Sequence, residues 1–191
     1  MKFLRLILTV FVVGSSVGCA DAGESFGASS EQSSDLIVAA KMEIALSKQN
    51  GSNQTACSIF VRNVLLRAGH NVPTFMANDF EKIVTGYLPE WTAHAFTADS
   101  TDHGQDQLKE LLNSKPDHTA FLAQWPRVGR SGHVAIIEKV STNEFVIYQA
   151  QQAKSTPHGQ STTPSSLLYS PNQWGDRTHL RIFTNDKRNG S

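Results

Sequence analysis

The 191-residue chain reads as an α+β protein in which N-terminal helices pack on an antiparallel β-sheet. Three observations lead there. An apolar stripe at helical spacing runs through residues 55–68, strand-like alternation begins at Gly132, and a second alternating segment follows the turn-forming Ser141-Thr142-Asn143.

The chain opens with Lys2 and Arg5, an apolar run from Leu6 to Val13 and then small residues, which is the pattern of a secretory signal over residues 1–22. The run is too short to span a bilayer. Ser16-Val17-Gly18-Cys19 resembles a bacterial lipobox, which would make Cys19 a lipidated first residue, whereas Ala20-Asp21-Ala22 offers an ordinary cleavage site. Either reading predicts export: a periplasmic or outer-membrane lipoprotein in the first case, a secreted protein in the second. Membrane contact would then come only through the signal or the lipid. Residues 23–35 are rich in Ser, Gly, Ala and Glu and read as a flexible tether. Residues 36–185 suit one domain with a sizeable core, and 186–191, with Lys187-Arg188, read as a solvated tail.

Within the domain, Leu36–Lys48 is predicted as a helix with Ile37, Ala40, Ile44 and Ala45 on one face, capped by Ser34 or Asp35. The next helix, Thr55–Ala68, places Cys57, Phe60, Val61, Val64 and Ala68 on an inward stripe and turns Ser58, Arg62 and Arg67 away. Gly69 supplies its stop and Pro73 lies just beyond. A short helix is expected over Ala77–Val84 with Asn78 as cap, loop over 88–104, and helix again over Gln105–Leu112. Strands start at about Ala120, Gly132 and Glu144, a Ser/Thr/Pro/Gly-rich loop covers Ala153–Ser166, and Leu180–Phe183 forms the last strand. The long segments Pro89–Thr101 and Lys154–Ser166 are expected to shape access to a site. Trp91, Trp125 and Trp174 suit either a core or contact with sugar or peptide.

The chemistry concentrates on two residues. Cys57 opens an amphipathic helix, where backbone N–H groups and the helix dipole favour the thiolate. His133 opens the strand after Gly132 and shares a face with Ala135 and Ile137. The strand that follows puts Phe145, Ile147, Gln149 and Gln151 on one face, so two amides end an otherwise apolar row. A histidine can take a thiol proton and return it to a leaving amine, and a third polar group can orient the ring through its other nitrogen. Gln149 or Gln151 fits that part, although a neutral amide stabilises an imidazolium less than a carboxylate does.

Composition narrows the alternatives. With 17 basic and 17 acidic residues, no basic field points to nucleic acid. The remaining histidines, 70, 94, 103, 118, 158 and 179, are scattered, with no helical His-x-x-x-His and no partner cysteine cluster, so a zinc site is not expected. The two cysteines leave Cys57 as the single thiol of the domain.

The helix segment from Ala56 to Gly69 and the strand Ser131-Gly132-His133-Val134-Ala135-Ile136-Ile137 resemble the two signatures of the NlpC/CHAP superfamily of papain-like cysteine cell-wall hydrolases, which includes the amidase effectors of type VI secretion. The segment Thr119–Pro126 is similar to the strand that precedes the histidine there. The resemblance covers roughly Ala39 to Phe183. It implies a papain-like domain, Cys57 as nucleophile, His133 as base, Gln149 or Gln151 as third residue, and hydrolysis of amide bonds in peptidoglycan peptides without a cofactor. An inhibitor or immunity protein would be a further partner. This chain departs from the pattern in lacking the Asp-Cys-Ser context of many members and a His, Asn or Glu as third residue. Two other readings stay open: a noncatalytic exported module that binds cell wall or a partner through a degenerate site, and a protein-directed cysteine peptidase.

Overall fold

A computed structural model describes residues 28–49, 56–97, 103–129, 131–150, 156–169 and 179–185. The expected signal segment with Cys19, residue Gln151, Trp174 and the expected tail 186–191 lie outside the described residues. The chain order is α1 (Ala28–Gln49), α2 (Cys57–Arg67), a 3-10 turn (Ala77–Asp79), α3 (Phe80–Tyr87), β1 (Trp91–Phe96), α4 (His103–Ser114), β2 (Ala120–Trp125), β3 (His133–Ser141), β4 (Glu144–Gln149), β5 (His158–Thr162), α5 (Pro164–Tyr169) and β6 (Leu180–Asn185). The six strands form one antiparallel sheet in the order β1-β6-β2-β3-β4-β5.

The fold is α+β, and helices cover both faces of the sheet. On one face, residues of α1, α2 and α3, among them Leu36, Ala40, Phe60, Val64 and Phe80, pack on Leu122, Val134, Ile136, Tyr148 and Phe183. On the other, Leu108 and Leu112 of α4 and Leu167 and Leu168 of α5 pack on Phe121, Ala123, Ala135, Ile137, Ile147 and Ile182. Alternation along each strand therefore feeds two cores, which is why β2 is buried at every position.

The helix bearing Cys57 follows its expected stripe: Phe60, Val61, Val64 and Leu65 are buried. Gly69 ends it at φ +86°, a left-handed conformation that glycine adopts without a Cβ penalty, and its amide and that of His70 return to Leu66 and Leu65 carbonyls. Glu43 of α1, itself buried, accepts from Asn63 Nδ2 and Arg67 Nε at 2.8 Å each and fastens α1 to α2.

Several local expectations need correction. The first helix starts at Ala28, ahead of the expected Leu36, so Ser34 and Asp35 lie inside it; no Pro or Gly interrupts 28–49. Ala45 on that helix is exposed. Asn78 makes no cap bond to the helix that follows, its side chain being engaged elsewhere. The stretch expected as loop over 88–104 holds β1, and the one over 153–166 holds β5 and the start of α5.

Candidate functional site

The site is built where the N-terminus of α2 meets the start of β3. Ala56, the residue before α2, is extended (φ −69°, ψ 151°) and offers no capping side chain to the first amides of the helix. The backbone amides of Val134, Ser58 and Cys57 itself pull the thiol pKa down. Burial nevertheless dominates and pushes the thiol above its ordinary pKa, against the lowering pull of those amides and of the Arg127 guanidinium. Cys57 is half-buried and is free of any disulfide.

One residue before Val134, His133 is 3 % exposed and Gln149 is 2 % exposed. Strand register brings these two together. Ile136 lies opposite Tyr148, which sets Gln149 one diagonal step from His133 on the same face. His133 Nε2 and Gln149 Oε1 are 3.0 Å apart. An amide oxygen only accepts, so Nε2 carries the proton and Nδ1 carries the lone pair of the neutral ring. Burial pushes the imidazole pKa down to about 3, with the Gln149 bond opposing and Arg127 assisting, so at neutral pH the ring is an uncharged base.

Trp125, directly opposite His133 in the β2–β3 register, packs its ring on the imidazole with centroids 5.4 Å apart. Its own Nε1–H donates to the Leu167 carbonyl of α5 at 2.9 Å. Trp125 is thus a core residue that roofs the histidine, and Trp91 is likewise buried.

The structure therefore pairs His133 with Gln149 and sets Cys57 against the backbone of the residue next to His133. The two parts approach β3 differently. Cys57 packs with the core that contains Val134 and Ile136, whereas alternation puts the His133 side chain with Ala135 and Ile137 toward α4 and α5. Among the described residues no hydrogen bond joins thiol to imidazole. His94 lies apart from this centre, its Nε2 2.9 Å from Thr184 Oγ1 beside a surface hollow between β1 and α4.

Arg127 is the residue that sequence patterning misses. It sits in the β2–β3 loop and acts on both Cys57 and His133. A lone arginine between Pro126 and Val128 carries no periodicity; the signal for it would have been its position just upstream of Gly132-His133. Among the described residues, no group of three His, Cys, Asp or Glu side chains is placed to hold a metal ion.

Comparison of the chain with protein-family models, with curated proteins and with solved structures gives no match in any of the three.

Proposed function

We propose that this protein is an exported cysteine hydrolase that cleaves amide bonds in peptidoglycan peptides. The observation that carries the reading is the buried His133–Gln149 hydrogen bond of 3.0 Å, which leaves Nδ1 as the basic nitrogen on the residue next to Val134, whose amide lowers the Cys57 pKa. Both the substrate class and the cysteine-hydrolase chemistry come from the resemblance to NlpC/CHAP hydrolases, and the buried, uncharged imidazole held by Gln149 is consistent with a base.

With thiol and imidazole both neutral at rest, activation is by general base. The reaction requires Nδ1 of His133 to take the Cys57 proton as Sγ attacks the peptide carbonyl, across the two faces of β3 from which the side chains leave, with Gln149 holding the ring in a fixed orientation. The amides at the start of α2 and at Val134, which lower the thiol pKa, are the candidate donors for the oxyanion that forms beside it. Collapse of the tetrahedral intermediate transfers the proton from His133 to the leaving amine and yields the acyl-enzyme. Water, deprotonated by the same nitrogen, then releases the acid and the free thiol.

A noncatalytic binding module has one observation in its favour: the imidazole is held under Trp125, on the face opposite the Cys57 helix. The deciding experiment incubates the purified protein, beside Cys57→Ala, with peptidoglycan and identifies released fragments by mass spectrometry. New peptide fragments absent from the variant are expected. Sedimentation with the wall and no fragments from any wall type would leave the binding module.

A further inference from the structure

The sheet has two edge strands, and the two edges are guarded differently. An edge presents a row of N–H and C=O groups on which another chain can pair, and proteins blunt it with Pro, charge, a bulge or brevity. β5 is short, contains Gly159 and lies between Pro157 and Pro164. β1 has none of these guards. Trp91-Thr92-Ala93-His94-Ala95-Phe96 contains no Pro, Lys, Arg, Asp or Glu, and its register against β6 runs unbroken from Trp91 opposite Asn185 to Phe96 opposite Leu180. Thr92, Ala93 and Ala95 are exposed and small, so an incoming strand meets little bulk.

Beside that edge lies the hollow of about 420 Å³ between β1 and α4. His94, Ala95 and Phe96 all line it, although successive side chains of a strand point to opposite faces, so the hollow takes in the backbone edge as well as one face. Its floor is apolar: Phe96 is buried, and Leu111 of α4 packs against the same core. The wall that α4 supplies carries one charge, Glu110, with Asp106 one helical turn earlier. Both carboxylates are exposed, and neither forms an ion pair among the described residues.

We propose that the groove between β1 and α4 binds an extended peptide segment that carries a basic side chain. The segment pairs with β1 as a further strand of the sheet, lays an apolar side chain on Phe96 and Leu111, and brings its Lys or Arg to Glu110. In strand addition of this kind the main-chain hydrogen bonds supply affinity and the side-chain hollows supply selectivity. The site goes beyond the hydrolase reading and does not depend on it, because β6 and β2 separate β1 from the strand that bears His133.

The test titrates the full chain, as Cys57→Ala so that no probe is cleaved, with labelled capped peptides that alternate Val with Lys or Val with Glu, read by fluorescence anisotropy. The Val/Lys peptide is expected to bind more tightly than the Val/Glu peptide by on the order of tenfold, a preference that Glu110→Gln removes. N-methylation of every second amide of the Val/Lys peptide is expected to abolish binding in one register and spare it in the other, since only alternate N–H groups of a strand face a given neighbour. Hydrogen exchange on the complex should protect the amides of β1. No binding of the Val/Lys peptide overturns the proposal, as does binding indifferent to peptide charge or to N-methylation, or protection at β5 in place of β1. Protection of β1 that rises with protein concentration in the absence of peptide assigns the edge to a second copy of the chain and overturns it equally. Binding in a protein that releases no wall fragments would keep the groove and defeat the hydrolase reading, so the two fail separately.

Discussion

Strand β3 carries a buried polar residue near each end, and the two ends are built on opposite plans. At Glu138, 5 % exposed, the carboxylate accepts from the Tyr148 hydroxyl, lies 3.2 Å from His118 Nδ1 and pairs with Lys41 Nζ at 3.2 Å. Burial alone would raise its pKa, but these partners outweigh it and hold the carboxyl below its ordinary value. At His133 the partner across the sheet is a neutral amide, burial wins, and the neighbouring charge has the sign that disfavours protonation. One end is a satisfied ion cluster that ties α1 to the sheet; the other keeps an uncharged imidazole one residue from Val134, which packs with the uncharged Cys57 thiol on the opposite face. Similar burial anchors the helices in one place and, under the proposed function, tunes a base in the other.

That contrast predicts opposite responses to substitution. His133→Ala is expected to reduce hydrolysis by about 10²- to 10⁴-fold, the range of a lost general base, while the protein stays folded at neutral pH; steady-state rates beside a circular-dichroism melt check both halves. Glu138→Ala is expected to do the reverse, costing about 2 to 3 kcal/mol in urea unfolding because the Tyr148 hydroxyl is left buried without its acceptor, with hydrolysis per folded molecule unchanged. A Glu138 variant that stays stable but inactive would erase the distinction between the two ends.

Acid separates them further. The folded His133 pKa of about 3 lies below the ordinary 6.5, so between these values the unfolded chain binds a proton that the native state refuses. Stability from this group is complete above about pH 6.5 and falls as pH is lowered toward 3. The loss between pH 7.5 and pH 5 is about 2 kcal/mol. His70, whose pKa burial also lowers, adds in the same direction. Glu138, with its pKa depressed, loses its contribution only at lower pH, as the carboxylate itself takes a proton. Unfolding at pH 7.5 and pH 5 is therefore expected to show a smaller acid penalty in His133→Gln than in the native sequence. Equal penalties would mean that the imidazole is not excluded from protonation.

The sheet shows where sequence reading succeeds. The four interior strands β2, β3, β4 and β6 announce themselves through apolar runs, because both of their faces are covered. The two strands that escape, β1 and β5, are the edges of the sheet. Trp91–Phe96 buries only its two ends, and His158–Thr162 is built of partly or fully exposed His, Gly, Gln, Ser and Thr. Such segments are held by backbone pairing to a neighbour rather than by burial of side chains, so hydrophobic patterning is blind to them. The same logic governs the site. Cys57, His133 and Gln149 are legible because each occupies a defined place on a periodic element. Arg127 and Asn78, whose side chain bonds the Arg127 carbonyl and amide, lie in a loop and a turn, where contacts 49 residues apart in sequence leave no periodic trace.

The mildest change sharpens the comparison most directly, because it gives the His133 end the chemistry of the Glu138 end. In Gln149→Glu a carboxylate of nearly the same shape replaces the amide 3.0 Å from His133 Nε2. An ionised neighbour favours the imidazolium and raises the ring pKa, and an imidazolium beside the thiol favours the thiolate. The pH midpoint for alkylation of Cys57 by iodoacetamide is expected to move down by about one unit, equivalent to about 1.4 kcal/mol. Acid stability should move with it: a higher folded-state pKa narrows the window in which only the unfolded chain binds the proton, so the penalty between pH 7.5 and pH 5 shrinks. The two readouts are tied through one proton on one ring. If the stability window narrows while the alkylation midpoint stays where it was, His133 titrates without being felt by Cys57, and the two faces of β3 are chemically independent. If both shift together, the thiol and the imidazole form one unit across the end of the sheet.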